Sequence, residues 1–429
     1  MPAKGLSFSN SPAPKAAWSV YCAFVKVKRK SKDERSQLNK TMLKIALLTY
    51  STKPRGSVVH TLELAQALLE LGHHPCVFAL DKAGDGFHRE TSFQTFAVPA
   101  SACEGDTCML VKQRIGEFVS FFEQYFEQGG QTYDVYHAQD CLSANALVTL
   151  KERGFLSRFV RTVHHIEDFK SPYLIDCQQK SIVHSDRCLC VSKQWQQVLK
   201  TKYGIRAHRV VNGVGRQFLT YEEDESVLKE VRCILADKQE GSTGDGPLYM
   251  TVGGIEPRKN SINLLRGFVA VRAAKPTAKL LIVGGATLFD YQDYRDQFMA
   301  LASCYGVTDG LILPGIVSDQ VLAQLYRLAD AFVFPSVKEG WGLVVLEAIA
   351  SGLPVLVSNQ APFTEFLSAS SAVLVDPTNI NAITHAMLEI TQPDVANQLS
   401  QQAFGILDRY SWRRSAEMHL ELYFELCDL

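Results

Sequence analysis

The chain has 429 residues, is 46% hydrophobic and 21% charged, and carries a formal net charge of −1. That length and apolar content provide for two or three domains with full cores. The charge gives no footing for nucleic-acid binding, and no run of 18 apolar residues marks a membrane span. Eleven cysteines are scattered without a CxxC pair, which reads as reduced, mostly buried thiols of a cytoplasmic protein rather than a disulfide framework. Cys103 and Cys108 are the one loop pair that merits a redox test.

The chain opens on a segment unlike the rest. Residues 1–40 hold nine Lys/Arg against two acidic residues, so the remainder carries 35 basic and 43 acidic side chains. The segment lacks the long apolar stretch and small-residue cleavage site of a secretory signal. Residues 1–41 thus read as a basic extension, and three readings stay open. It is a disordered tail, or a tether that holds the protein peripherally on the inner face of an anionic membrane, or sequence upstream of a physiological start at Met42.

From there, short apolar strands alternate with helical stretches, the pattern of parallel sheets covered on both faces. In the first half the strands are expected at Lys44–Tyr50, His74–Leu80, Tyr133–His137, Phe159–His165, Arg187–Ser192 and Arg209–Val211. The first helix, about Val58 to Leu71, has apolar residues at 58, 59, 62, 65, 68 and 69 and stops at Gly72. Phe118, Phe121, Phe122, Tyr125 and Phe126 recur at helical spacing and read as core rather than lipid contact. In the second half the strands are expected at Leu248–Val252, Lys279–Val283, Leu311–Pro314, Ala331–Phe334, Pro354–Val357 and Ala372–Val375. Asn212-Gly213 is a turn, and 222–246 is charged, then rich in Gly, Ser and Asp. This divides the chain into a first domain over 42–215, a hinge and flexible linker over 216–247, a second domain over 248–408 and a final amphipathic helix within 409–429. The fold class is α/β, two doubly wound Rossmann-like domains.

Two such domains also fit a dehydrogenase, which needs G-x-G-x-x-G at the first strand-to-helix turn. The turn here, Tyr50-Ser51-Thr52-Lys53-Pro54-Arg55-Gly56-Ser57, has one glycine. The second half opens Val252-Gly253-Gly254-Ile255-Glu256-Pro257-Arg258-Lys259-Asn260 and also fails the spacing. Both turns argue against an oxidoreductase.

The most informative run is Phe332-Val333-Phe334-Pro335-Ser336-Val337-Lys338-Glu339-Gly340-Trp341-Gly342-Leu343-Val344-Val345-Leu346-Glu347-Ala348. A strand followed by a helix from Leu343 to Ser351 puts Glu339 in the connecting loop and Glu347 about one turn into the helix. Gly340 and Gly342 let the backbone approach a ligand, and the helix start favours phosphate oxygens. Carboxylates suit sugar hydroxyls, since each accepts from two neighbours. Taken alone, Glu347 reads equally well as a glutamate favoured by the helix dipole. Arg258-Lys259 would add the positive charge that a diphosphate leaving group needs.

The complete run resembles the Glu-x7-Glu signature of retaining GT-B glycosyltransferases of family 4 (group 1), including Pro335-Ser336 before it and Ser351-Gly352-Leu353-Pro354-Val355 after it. The resemblance implies a nucleoside-diphosphate-sugar donor, no further cofactor, and a last helix that crosses back onto the first domain. It places Glu339 on the donor sugar, Glu347 on the ribose, and Arg258 and Lys259 on the diphosphate. His164, just after a first-domain strand, would face the sugar across the cleft. Gly56 would approach the donor phosphate. Gly340, Trp341, Gly342 and Leu343 would line the donor, and the loop Leu313-Pro314-Gly315-Ile316-Val317 would hold the nucleobase, with Ile316 against it. His137, Gln139, Asp140 and His165 would line the acceptor side, Asp140 serving equally well as a helix N-cap.

The implied reaction is front-face transfer, in which the leaving diphosphate takes the acceptor proton. It is metal-independent, because no His/Asp/Glu set has metal spacing and there is no Asp-x-Asp. The acceptor, whether sugar, lipid-linked or small molecule, is unassigned, and the oligomeric state is not set by the sequence. Two departures stand out: Gly254 where many relatives carry Arg, and Ser57 where a second glycine is usual. A GT-B epimerase or phosphorylase and a non-catalytic sugar-nucleotide sensor are the competing classes. Because the basic extension shares neither charge balance nor strand pattern with the body, a chain beginning at Met42 is expected to melt within about a degree or two of the full chain. A large loss of stability or soluble yield would contradict this.

Overall fold

The computed structural model describes residues 42–53, 55–87, 89–220, 224–236, 246–285 and 291–428. The basic extension and the Gly/Ser/Asp-rich part of the expected linker lie outside the described residues.

The first half runs β1 (Lys44–Thr49), α1 (Gly56–Glu70), β2 (His74–Asp81), β3 (Gln94–Pro99), α2 (Thr107–Glu127), β4 (Val135–Ala138), α3 (Cys141–Glu152), β5 (Val160–Val163), α4 (Pro172–Val183), β6 (Arg187–Cys190), α5 (Lys193–Tyr203) and β7 (His208–Arg209). After α6 (Arg216–Leu219) and α7 (Glu225–Ala236), the second half runs β8 (Leu248–Val252), α8 (Ser261–Ala274), β9 (Lys279–Val283), α9 (Gln292–Cys304), β10 (Leu311–Gly315), α10 (Asp319–Leu328), β11 (Ala331–Phe334), α11 (Leu343–Ala350), β12 (Val355–Ser358), β13 (Val373–Val375), α12 (Ile380–Ile390), α13 (Pro393–Phe404) and α14 (Trp412–Cys427).

The first sheet has seven strands in the order β3-β2-β1-β4-β5-β6-β7, the second six in the order β10-β9-β8-β11-β12-β13. All pairings are parallel. Parallel strands need helical crossovers, and those helices cover both faces, so β4, β5 and β11 are buried at every position instead of alternating. In each sheet the winding reverses beside its first strand, between β1 and β4 and between β8 and β11. Ligands in such sheets bind outside the carboxyl ends at this reversal. Four loops meet that condition: those after β1, β4, β8 and β11.

Three expectations need correction. β3 was not anticipated, because this edge strand is mostly exposed or half-buried and reads Gln-Thr-Phe-Ala-Val-Pro, without an apolar run. β5 ends at Val163, so His164 and His165 lie in the following loop. Within the expected linker, Glu225–Ala236 is helical, anchored by buried Val231 and packed against α10 and β10. The aromatic face of α2 is core, as expected: Phe118 and Phe122 are fully buried, and Phe78 stacks on Phe96 beside them at 4.9 Å between centroids.

The last helix packs on α1, as the resemblance implied. One apolar cluster runs from Leu47, Leu64 and Trp195 in the first half, through Trp412 and Tyr423 of α14, to Trp341, Leu346 and Phe363 in the second. The two chain crossings meet at Gly213, where a β-carbon would lie 2.2 Å from the Trp412 backbone nitrogen. Gly213→Ala is therefore expected to cost about 1–3 kcal/mol by overpacking, whereas at Gly405 the nearest atom is 3.9 Å from such a carbon and alanine should be tolerated. Urea unfolding of the two variants checks this; equal stabilities would contradict it.

Candidate active site

The loops after β8 and β11 bring together the acid and the two bases singled out in the sequence. Glu339 Oε1 accepts from Lys259 Nζ at 2.6 Å, from Ser336 Oγ at 2.8 Å and from Arg258 Nη1 at 3.1 Å. Arg258 also pairs with buried Glu256 through Nη2 at 2.9 Å. Burial alone would raise the Glu339 carboxyl, but Lys259 and Arg258 outweigh it and hold it below the ordinary range. Burial pulls the Lys259 ammonium down against the pull of Glu339, and its Nζ also lies 4.3 Å from the centre of the Phe334 ring.

Local chain geometry makes this cluster rigid. Asn260 adopts a left-handed conformation at φ 60° and donates from Nδ2 to Pro335 O at 3.1 Å and Pro377 O at 2.6 Å. The loops after β8, β11 and β13 are thereby tied to one amide. Arg258 O in turn accepts from Val337 N at 2.9 Å and Ser336 Oγ at 2.7 Å. Sequence reasoning quoted Asn260 and Ser336 without giving either a role. The signal was an Asn directly before a helix and a Ser three residues before the acid.

Both glycines of the run have structural grounds. A β-carbon on Gly340 would lie 2.4 Å from the His164 carbonyl oxygen, so this is one of the points where the second half touches the first. Gly342 has φ +98° and directly precedes α11, whose N-terminus has no side-chain cap and no acid in its first turn. The half-buried Leu343 is its first residue. Trp341 requires correction: its ring is 3% exposed, stacks on Phe366 at 4.7 Å and tilts against Tyr410 at 5.3 Å. That core position leaves only its main chain for a ligand.

Glu347, 8% exposed, accepts from the Tyr326 hydroxyl at 3.1 Å. Burial pushes its carboxyl up to about 8; the Tyr326 bond offsets part of this, and the charges of Asp319 and Glu63 add to it. Glu63, on α1, accepts from Arg89 at 2.6 Å, and the same guanidinium lies 3.8 Å from Asp319 of the second half. Ile316, directly after β10, is 60% exposed and rests against Gly285. Gly56 is the first residue of α1 and has open space beside it.

On the first-half side, His164 Nε2 donates to Gln139 Oε1 at 3.0 Å, and its ring meets His60 edge-on at 4.6 Å. Burial, with lesser contributions from His60 and Arg161, holds the His164 ring well below the ordinary histidine range, so it is neutral at pH 7. His165 is exposed and pairs with Glu167 at 2.7 Å. The acceptor-side reading of His137 is corrected. The residue is fully buried, with Nδ1 2.6 Å from the Tyr423 hydroxyl and Nε2 2.8 Å from Thr162 Oγ1, so its ring joins the sheet to α14. Asp140 caps α3 by accepting from Ser143 N at 2.9 Å, the N-cap alternative. Gln139 is also buried, its amide oxygen accepting from His164. Among the described residues, no three His, Cys, Asp or Glu side chains are grouped to hold a metal, and no helix is long and apolar enough to cross a membrane.

Two family models match the chain in succession, Glycosyltransferase Family 4 over residues 54–216 and Glycosyl transferases group 1 over residues 235–404. An uncharacterized glycosyltransferase of Methanocaldococcus jannaschii is 24% identical over 409 residues, spanning 89% of this chain and 98% of its own. Of solved structures, sucrose-phosphate synthase from Thermosynechococcus elongatus superposes with a TM-score of 0.72 at 22% identity, over 90% of this chain and 99% of that one. Anabaena HepE, crystallised with UDP and glucose, superposes with a TM-score of 0.68 at 16% identity, over 90% of this chain and all of that one (100%). At these identities the superpositions establish the fold, which is GT-B. The chain belongs to the group 1, family 4 glycosyltransferases, a retaining family, and is an enzyme that transfers sugar from a nucleotide sugar.

Proposed function

We propose that a nucleoside-diphosphate sugar lies across the loops after β8 and β11 and is transferred by a metal-independent, front-face route to an acceptor held by the first half. The observation that carries this reading is the convergence of Lys259, Arg258 and Ser336 on Glu339. Without a donor, the two cations have a carboxylate as counter-ion. When the donor arrives, its diphosphate takes over the cations, and Glu339 is released to accept from hydroxyls of the sugar. As the glycosidic bond breaks, negative charge grows on the diphosphate oxygens next to a fixed guanidinium and ammonium. The same oxygens take the acceptor proton on the face being vacated. A general base is not needed, and the neutral ring of His164 is consistent with a residue that positions the sugar instead of titrating. The exposed Ile316 and neighbouring Gly285 offer a flat surface for the base, and Glu347 accepts from the ribose hydroxyls.

Removing Lys259 deletes an electrostatic donor from a preorganised site, a loss of about 2.7–4 kcal/mol of transition-state stabilisation. Lys259→Ala should lower turnover at least about a hundredfold, while excess chelator leaves the wild type active. Initial rates with and without chelator test both halves of the claim; activity abolished by chelator and restored by a divalent ion would sink it, as would a nearly wild-type Lys259→Ala.

Glu347 has its own pH signature. In the unfolded chain its carboxyl ionises near 4.5, in the folded chain near 8, so between those values the folded state holds the extra proton. The stability this group contributes is present below the lower value and is lost as pH rises through the upper one. Glu347→Gln removes that loss, and its melting temperature should gain on the wild type steadily from pH 5 to pH 8; a constant difference would contradict the assignment. Ribose hydroxyls donate to the ionised form, so nucleotide binding at pH 7 should release a proton. The variant should lose that release together with about 1–3 kcal/mol of nucleotide affinity, which calorimetry in two buffers of different ionisation enthalpy resolves.

A further inference from the structure

A row of side chains runs from the last helix to the cleft, and the donor reading uses only its final member, His164. At the far end the Tyr423 hydroxyl of α14 lies 2.6 Å from His137 Nδ1, and Thr162 Oγ1 of β5 lies 2.8 Å from His137 Nε2. With both nitrogens engaged and no exposure, that ring is fixed. Gln139 comes next. Its backbone N–H donates to Leu48 O of β1 at 2.9 Å, and the residue is 1% exposed. Its amide nitrogen sits 3.4 Å from His137 Nδ1 and 3.3 Å from His137 Nε2.

Those near-equal distances put the amide nitrogen against the His137 ring and not in line with one lone pair. An N–H is attracted to the negative face of a neutral ring, whereas a carbonyl oxygen there would be repelled. The amide oxygen is thereby left to His164, whose Nε2 lies 3.0 Å away. An amide oxygen only accepts, so Nε2 carries the proton of the neutral ring and Nδ1 is bare. His164 is half-buried, whereas His137 and His60 are fully buried, and its Nδ1 has no hydrogen-bond partner among the described residues. His60 braces the ring edge-on at 4.6 Å, its own Nδ1 held 2.8 Å from Asn212 Oδ1. The titratable groups that act most on the His164 ring are His60 of α1, Arg161 of β5, the adjacent His165 and His137 of β4, all of them bases. A carboxylate at position 139 would draw a second proton onto the ring and remove the bare nitrogen. An amide fixes the tautomer without that charge.

We propose that Gln139 is a positioning residue that holds His164 with its proton on Nε2 and a bare Nδ1 toward the donor site, so that the ring accepts a hydrogen bond from a hydroxyl of the donor sugar instead of giving one. The contact with the sugar rests on the reading of His164 as the donor-facing residue; the tautomer does not.

Long-range proton–nitrogen NMR correlations of the full chain carrying isotopically labelled histidine read the tautomer directly, the His164 signals being those missing from His164→Asn. The wild type should show one protonated nitrogen, Nε2, from about pH 8 to about pH 6. Gln139→Met, similar in size but without the acceptor, should let the Nδ1–H form appear. Gln139→Glu should keep the Nε2 proton and add the second as pH falls toward about 6. Turnover is followed as release of nucleoside diphosphate from saturating UDP-glucose or GDP-mannose, whichever raises the melting temperature. It should fall at least about fivefold in Gln139→Met, with affinity for free nucleoside diphosphate unchanged within about twofold. In Gln139→Glu, turnover relative to the wild type should decline progressively from about pH 8 to about pH 6; a merely structural role would not produce that split. Should Gln139→Met fail to fold, the wild-type spectrum and Gln139→Glu decide alone. A wild-type His164 protonated on Nδ1, a Gln139→Met with wild-type tautomer and turnover, or a Gln139→Glu that tracks the wild type with pH would each overturn the proposal. Failure of the glycosyltransferase reading would appear separately, as a wild type with the expected tautomer that binds no nucleoside diphosphate.

Discussion

A buried carboxylate shared by two cations sets the terms for the rest of this site. Glu339 is 8% exposed and accepts from Lys259, Ser336 and Arg258 at once. An isolated charge at such a position would cost several kcal/mol, so the cluster exists only while its members are together. That requirement reaches outward through the backbone. Asn260 must take a left-handed conformation to bond two strand-end carbonyls, and Gly340 must lack a side chain because the His164 carbonyl fills the space. Arg258 is shared with Glu256 as well, which ties the cluster to the start of the β8 loop.

The second constraint is the joining of the two halves. Among the described residues two ion pairs join the halves, Lys338 to Asp168 at 2.6 Å and Arg89 to Asp319 at 3.8 Å, but solvent-facing pairs contribute roughly 0–1 kcal/mol each. Stronger contacts lie near the crossings. The Glu365 carboxylate, from the second half, accepts from Lys193 N at 2.8 Å and Gln194 N at 2.9 Å, at the positive end of α5. Close by, Trp341, Phe366 and Tyr410 form one aromatic stack beneath the Gly340–Gly342 loop. His60, between His164 and Trp412, and His419 in α14 are pushed by burial to about 3 and about 4. Both are neutral in the folded protein at neutral pH, and unfolding lets them charge as pH falls below their ordinary value. The interface between the first half and the last helix is accordingly a place where acid destabilises the fold.

The second half was the more legible in the sequence, for a physical reason. The groups proposed to hold the donor sit in two short loops beside a winding reversal, where each residue type answers a local demand: glycine for close approach, two adjacent basic residues for charge, an acid opposite them. Residue type and order were enough to place Glu339, Arg258 and Lys259 together. The roles of His137 and Trp341 were not readable, because each depends on segments distant in the chain. His137 is buried by Tyr423, 286 residues further on, and the ring of Trp341 is covered by Phe366 and Tyr410. The exposed edge strand β3 and the helix α7 were missed for a related reason: their apolar positions are few, and only tertiary neighbours make them regular.

The central claim is that Glu339 serves as an internal counter-anion which the diphosphate displaces. Calorimetric titration of nucleoside diphosphate into the wild type and Glu339→Gln tests it most directly. With the competing carboxylate removed, the cations should bind the diphosphate more tightly, by at least several-fold, even as turnover falls for want of the group that orients the sugar. A loss of nucleotide affinity in Glu339→Gln, in parallel with the loss of turnover and with the fold intact, would contradict the account.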